Sequence, residues 1–130
     1  MVMRSRPKRN RLNSLERAAF VMETDQSEPR LAVPSRTRID TGRWWRRTRL
    51  WVCVTDRDVV VLAAGRRRYV ERFPIADCQA SHYCHTTGEL VIQAGNGPRF
   101  NRLAMSPVDG LGVLHAIGAI NAEETQDIPK

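Results

Sequence analysis

Two apolar runs separated by a short polar connection constrain this chain more than any other feature. In the first, Leu50, Val52 and Val54 alternate with Trp51, Cys53 and Thr55. That is the period-2 signature of a strand with two distinct faces. Asp56-Arg57 makes the connection, and the β-branched run Asp58–Ala64 follows, ended by Gly65. Two such runs across so short a polar turn read as a β-hairpin. Downstream, Arg66–Arg68 form a loop, and Tyr69–Ile75 reads as a strand with Pro74 marking its end or a sheet edge. Further strands fit Cys78–His85, Glu89–Ala94 and Arg99–Leu103, with turns at Gly88 and at Gly95-Asn96-Gly97-Pro98.

The ends of the chain have a different character. Residues 1–11 carry Arg4, Arg6, Lys8, Arg9 and Arg11 without apolar periodicity, and read as a disordered basic arm. The run Ser14–Thr24 fits a helical turn followed by a strand, and a first strand is expected over Ala18–Thr24. Residues 25–43, with Pro29, Pro34 and Gly42, read as a long loop broken by a short extended piece around Thr37–Ile39. Near the C-terminus the period changes. Ser106 is a favourable N-cap, Pro107 suits the first helical position, and Asp109 complements the helix dipole. Leu111, Leu114 and Ile117 make one apolar stripe, with Val113 and Ile120 beside it. Gly110, Gly112 and Gly118 each weaken a helix by roughly 1 kcal/mol relative to Ala, so packing must hold it, and their missing side chains allow close approach to a sheet. The expected helix is about 107–121.

The fold class is therefore mainly β: a seven-stranded antiparallel barrel or sandwich closed by one C-terminal α-helix. The expected organisation is one domain over residues 12–122 between the basic arm and a flexible acidic tail at 123–130. At 130 residues the chain is long enough for one hydrophobic core. Its 42% apolar and 27% charged content is that of a globular protein, not a disordered one.

Charge is distributed unevenly. Residues 1–49 hold thirteen Arg and Lys against five Asp and Glu, whereas residues 50–130 hold eight against nine. The whole excess behind the net charge of +7 thus lies in the first third. Arg-rich codon usage accounts for Lys8 and Lys130 being the only lysines, but not for this crowding. It points to an acidic partner.

Candidate chemistry is sparse. Cys78, His82, Cys84 and His85 have no standard zinc spacing. On a strand, Cys78 and His82 would sit roughly 13 Å apart at ~3.3 Å per residue, and His85 would face away. No metal and no cofactor is expected. Cys84 and His85 are adjacent, so on a strand they diverge and cannot form a nucleophile–base pair. Phosphate-cradling and nucleophile-elbow motifs are missing, and His115 falls in the expected helix. The expectation is a protein that is not an enzyme. The odd number of cysteines without framework spacing fits a reduced, cytoplasmic setting, and no apolar run approaches bilayer length. Any membrane contact would be peripheral.

The run RTRLWVCVTDRDVVVL, followed by VERFPIADC, resembles GRAM and bacterial pleckstrin-homology-like domains. Those have an apolar strand ending in Val-Thr, a polar turn, a second apolar strand, and later Ile-Pro-Leu-x-Asp-Ile. Here that segment reads Phe73-Pro74-Ile75-Ala76-Asp77-Cys78, departing at the residue before Pro and at the final apolar position. The resemblance covers about residues 48–121. It implies a seven-stranded barrel-like sandwich with a C-terminal helix plugging one end. It also implies an open end that receives an anionic headgroup, marked by a basic residue, a gap, then basic-x-basic. Arg30…Arg36-x-Arg38 and Arg43…Arg47-x-Arg49 both fit.

Residues 42–49 pack Arg43, Trp44, Trp45, Arg46, Arg47 and Arg49 together, and Arg66, Arg67 and Arg68 lie in the next-but-one connection. In an antiparallel meander those two connections emerge at the same end. These seven arginines are the candidate anion-binding residues, with Trp44 and Trp45 as interface aromatics. Arg forks grip phosphates in two-pronged fashion, and Trp suits a membrane boundary or base stacking. The resulting expectation is a non-enzymatic adaptor contacting an anionic lipid surface or an acidic protein. Two alternatives stay open: a nucleic-acid-binding module, and a structural oligomerisation domain with an incidental basic edge.

Overall fold

The computed structural model describes residues 11–26, 28–42, 47–95 and 97–119. The basic arm, the acidic tail, Arg43, Trp44, Trp45 and Arg46 therefore lie outside the described residues, apart from Arg11.

A helix opens the described chain. α1 spans Ser14–Thr24. Seven antiparallel strands follow in two sheets: β1 (Leu31–Asp40), β2 (Arg47–Val54), β3 (Asp58–Ala64) and β4 (Arg68–Pro74) in order β1-β2-β3-β4, then β5 (His82–Cys84), β6 (Glu89–Val91) and β7 (Arg102–Ala104) in order β5-β6-β7. A 3-10 turn, Ile75–Cys78, links the sheets, and α2 (Pro107–Ile117) ends the order. The count of seven agrees with the sequence reading, but its membership does not. The expected strand at Ala18–Thr24 is the second half of α1, and the expected loop at 25–43 contains the ten-residue strand β1.

α1 is helical because its start is locked. The Asn13 side chain accepts the Glu16 N–H at 2.9 Å, and Glu16 Oε1 accepts the Asn13 N–H at 2.8 Å. This is a reciprocal capping box, which satisfies two amides that a helix otherwise leaves unpaired. It also sets the phase that buries Ala19, Phe20 and Thr24 on one side.

β1 tolerates Pro34 because it is the edge strand of the four-stranded sheet. Its ladder with β2 runs from Leu31 to Pro34, shifts register, and resumes at Arg38. Within that bulge the Ser35 hydroxyl donates to the Leu50 carbonyl at 2.8 Å, and Thr37 Oγ1 accepts the Ala104 N–H at 2.9 Å. That side-chain bridge to β7 stands where a closed barrel would have a backbone ladder. The sheets remain separate, so the architecture is a sandwich and not a closed barrel.

The central hairpin is buried on both faces. Leu50, Val52, Val54, Val59, Val61 and Ala63 point inward to Leu90, Ile92, Leu103, Leu114 and Ile117. Trp51, Cys53, Val60 and Leu62 point outward and are covered, with Ala32, by Leu12 and Phe20. The unbroken apolar run of β3 reflects this double burial. All nine positions expected in the core (Leu50, Val52, Val54, Val59, Val61, Leu90, Ile92, Leu114 and Ile117) are buried. Three layers result: α1, the four-stranded sheet, and the three-stranded sheet with α2.

α2 starts as its sequence indicates, with Ser106 Oγ accepting the Asp109 N–H at 3.2 Å and Pro107 in the first turn. It ends at Ile117, capped by Gly118, short of residue 121. The Gln79 side chain donates to the Ile117 carbonyl at 2.7 Å and anchors that end. The expected strand Cys78–His85 is shorter than the sequence suggested, because Cys78 closes the 3-10 turn and pairing begins only at His82.

Candidate functional site

The outer face of the four-stranded sheet is divided. α1 covers its apolar half, and beyond the start of α1 the same face carries arginine. On β2, Arg47, Arg49, Trp51 and Cys53 alternate outward, and across the ladder Arg38 faces Arg49 while Asp40 faces Arg47. Arg66 comes from the β3–β4 connection and Arg11 from the segment leading into α1. Together Arg11, Arg38, Arg47, Arg49 and Arg66 line one open groove of about 1060 Å³, floored by Trp51, Ala64 and Gly65 and walled by Asn13, Leu15 and Glu16.

The β3–β4 connection packs against Thr41 and Gly42, the described start of the β1–β2 connection, whose Arg43 and Arg46 lie outside the described residues. The Arg67 N–H donates to the Thr41 carbonyl at 2.7 Å, and the Gly65 N–H to the Arg67 carbonyl at 3.0 Å. Below them the hydroxyls of Thr41 and Thr48 share a 2.6 Å hydrogen bond. Gly65 sits directly on this pair: a Cβ there would come within 2.1 Å of Thr41 Oγ1. Only glycine permits that approach.

The groove arginines form no ion pairs among the described residues. Four ion pairs occur among the described residues, formed by Arg17, Arg30, Arg72 and Arg102. None of the five groove arginines has a carboxylate within 4 Å among the described residues. The Asp40 carboxylate, opposite Arg47, instead accepts the Gly42 N–H at 2.8 Å. Arg38 and Arg49 stand directly opposite each other, an arrangement that destabilises a sheet by a few tenths of a kcal/mol, up to about 1. Glu16, the one carboxylate lining the groove among the described residues, is buried and engaged. Its Oε1 accepts from the Asn13 N–H, and its Oε2 accepts the Trp51 indole N–H at 2.9 Å.

Of the residues singled out by sequence, Arg47, Arg49 and Arg66 line the groove. Arg67 is exposed at the apex of the β3–β4 connection, and Arg68 begins β4 with its guanidinium 2.9 Å from Met22 Sδ. Arg43, Arg46, Trp44 and Trp45 are not described. Arg11, Arg38, Glu16 and Trp51 are groove residues that the site reading did not include. Arg38 was within reach of the same basic-x-basic pattern. Trp51 and Glu16 required knowing that α1 is a helix.

The cysteine–histidine cluster disperses. Cys78 is buried, its thiol turned to the Pro74 carbonyl, and β5 places His82 and Cys84 on one face with Tyr83 in the core. Among the described residues, no three His, Cys, Asp or Glu side chains gather closely enough to hold an ion. All three cysteines are free thiols. Burial pushes the Cys78 thiol up to about 11, helped by the charges of Asp77 and Asp58. Burial and the Glu16 charge push Cys53 higher still. Hydrogen bonds from Thr87 lower Cys84.

Among the described residues no helix is long and apolar enough to cross a membrane. Comparison with known proteins finds no matching family model, no significantly similar curated protein and no significantly similar solved structure.

Proposed function

We propose that this chain is a non-enzymatic binding domain of the pleckstrin-homology-like kind, whose outer-face arginine groove takes an anionic partner. One observation carries the reading: five arginines converge on one groove without a carboxylate partner among the described residues, two of them facing each other across a ladder. A protein gains nothing from that arrangement alone, and a phosphate or carboxylate placed between the guanidinium forks relieves it. The order of elements supports the family reading, since a four-stranded and a three-stranded meander end in one helix against the core. α1, layered on the outer face, is an addition to that plan. In keeping with the non-enzymatic reading, the Glu16 carboxyl in the groove is committed to the helix cap and the Trp51 indole. A reduced cytoplasmic setting, peripheral to a membrane, fits this role.

The test is a charge-reversal cycle. Arg49→Glu and Arg66→Glu should each weaken binding of the full chain to a soluble polyanion such as inositol hexakisphosphate, and the paired change should be non-additive because both residues share one ligand. Unaltered binding in all three variants would refute the groove as the site.

A further inference from the structure

The outward side of α1 carries no charge. Glu16, Ala19, Phe20 and Thr24 turn toward the sheet, and the opposite side presents Leu15, Ala18, Val21 and Met22. Leu15 is 61% exposed, Met22 72% and Val21 37%. At helical spacing these four form one stripe. A helix lying on a sheet normally turns polar residues to water, and single exposed apolar residues are unremarkable. Here the outer side is apolar from Leu15 to Met22, with Ser14 before it and Asp25 just beyond it. The flanking charges are already neutralised: Arg17 pairs with Glu28 at 3.0 Å, and Glu23 with Arg72 at 3.5 Å. Both ends of the stripe meet cations instead. Leu15 is a wall of the arginine groove, and Met22 Sδ lies against the Arg68 guanidinium.

We infer that α1 is a membrane-contacting helix, lying flat in the interface of an anionic bilayer. Ala18, Val21 and Met22 enter among the upper acyl carbons while Arg68 and the groove arginines take lipid phosphates. The inference rests on the anion-binding reading of the groove and names its partner. Charge selects this occupant. A second copy packed on the same face by two-fold symmetry would bring the groove arginines, which have no carboxylate partner among the described residues, against their own equivalents. An anionic leaflet offers an apolar layer beneath a plane of phosphates, the two chemistries this surface presents side by side. Arginine suits the boundary, since its aliphatic stem lies along apolar neighbours while its head reaches the phosphate.

The experiment compares the full chain with Val21→Gln/Met22→Gln, a pair outside the groove, and with the conservative Val21→Leu/Met22→Leu. Two probes are used: phosphatidylcholine vesicles containing phosphatidylserine, and inositol hexakisphosphate. The glutamine pair should lose about tenfold in vesicle affinity, as expected when two side chains no longer leave water, with hexakisphosphate affinity and unfolding unchanged. The leucine pair should bind vesicles like the parent. Equal vesicle binding by the glutamine pair overturns the inference. So does a parent that binds hexakisphosphate but no vesicles, which would leave the groove reading intact with a soluble anionic partner. A parent dimer dissolved by the glutamine pair would also overturn it, in favour of a second copy. Failure to bind either probe would sink the groove reading itself.

Discussion

Glu16 joins the start of α1 to the sheet beneath it through a single carboxyl group. Glu16→Ala removes half of the capping box and strands the buried Trp51 indole N–H, so it should destabilise the fold by about 2 kcal/mol. Glu16→Gln, which keeps one carbonyl acceptor, should lose less; equal losses in urea unfolding would show that the hydrogen bonds carry no weight. Arg38 and Arg49 give a prediction of opposite sign. Arg49→Gln relieves a like-charge pair, so the free protein should gain roughly 0.5 kcal/mol while its affinity for a polyanion falls. A residue kept for structure would show a loss in both. The thiols report pH. Cys78 is held neutral in the fold, with its titration raised from 9.0 to about 11. Its contribution to stability is therefore fully present below 9.0 and is lost as pH rises through about 11, because the unfolded thiol loses its proton first. Cys53 and Tyr69 are raised by burial and act in the same direction. Stability should fall with pH above that threshold, and a thiol reagent should label Cys84 in the folded protein well before Cys53 or Cys78.

At the scale of elements, what was legible depended on whether one period dominated. The Leu50–Ala64 hairpin declared itself because its apolar residues alternate or run continuously between clear turn residues, and α2 because Ser106-Pro107 precedes a helical stripe. Ser14–Thr24 satisfied two periods at once, since Ala18–Met22 is apolar at every position. The Asn13…Glu16 spacing, a capping signature, decides in favour of helix. β1 was hidden by Pro34 and by the polar run from Ser35 to Arg38, which an edge strand with a bulge accommodates and a central strand does not. That the β3–β4 connection meets the start of the β1–β2 connection at Thr41 followed from antiparallel direction alone. The groove wall did not, because it depends on a helix read as a strand. A matched pair of substitutions tests the packing of α2. Gly110 lies on the Tyr83 ring, where a Cβ would come within 2.3 Å, whereas Gly112 has open space around it. Gly112→Ala should stabilise the protein by about 1 kcal/mol through helix propensity. Gly110→Ala should destabilise it by about 1–3 kcal/mol through overpacking. Like-signed shifts in the unfolding midpoint would contradict the close approach of α2 to β5.

At the scale of the whole molecule, the three layers separate two tasks. The inner layers hold the core, with the α2 side nearly neutral, while the outer face combines the apolar stripe of α1 with arginines that have no carboxylate partner among the described residues. This placement gives the charge asymmetry of the sequence a spatial meaning: Arg11, Arg38, Arg47 and Arg49, from the first third of the chain, meet Arg66 from the middle on one surface. Trp51 supplies a native reporter there, its indole N–H being held by Glu16 at the groove floor. The most direct test is a titration of the full chain with inositol hexakisphosphate, followed residue by residue through amide and indole N–H resonances. The account predicts saturable shifts for the Trp51 indole and for the amides of Arg38, Arg47, Arg49, Gly65 and Arg66, with His82 to Cys84 on the far sheet unmoved. Shifts confined elsewhere, or an undisturbed Trp51 indole at saturation, would contradict it.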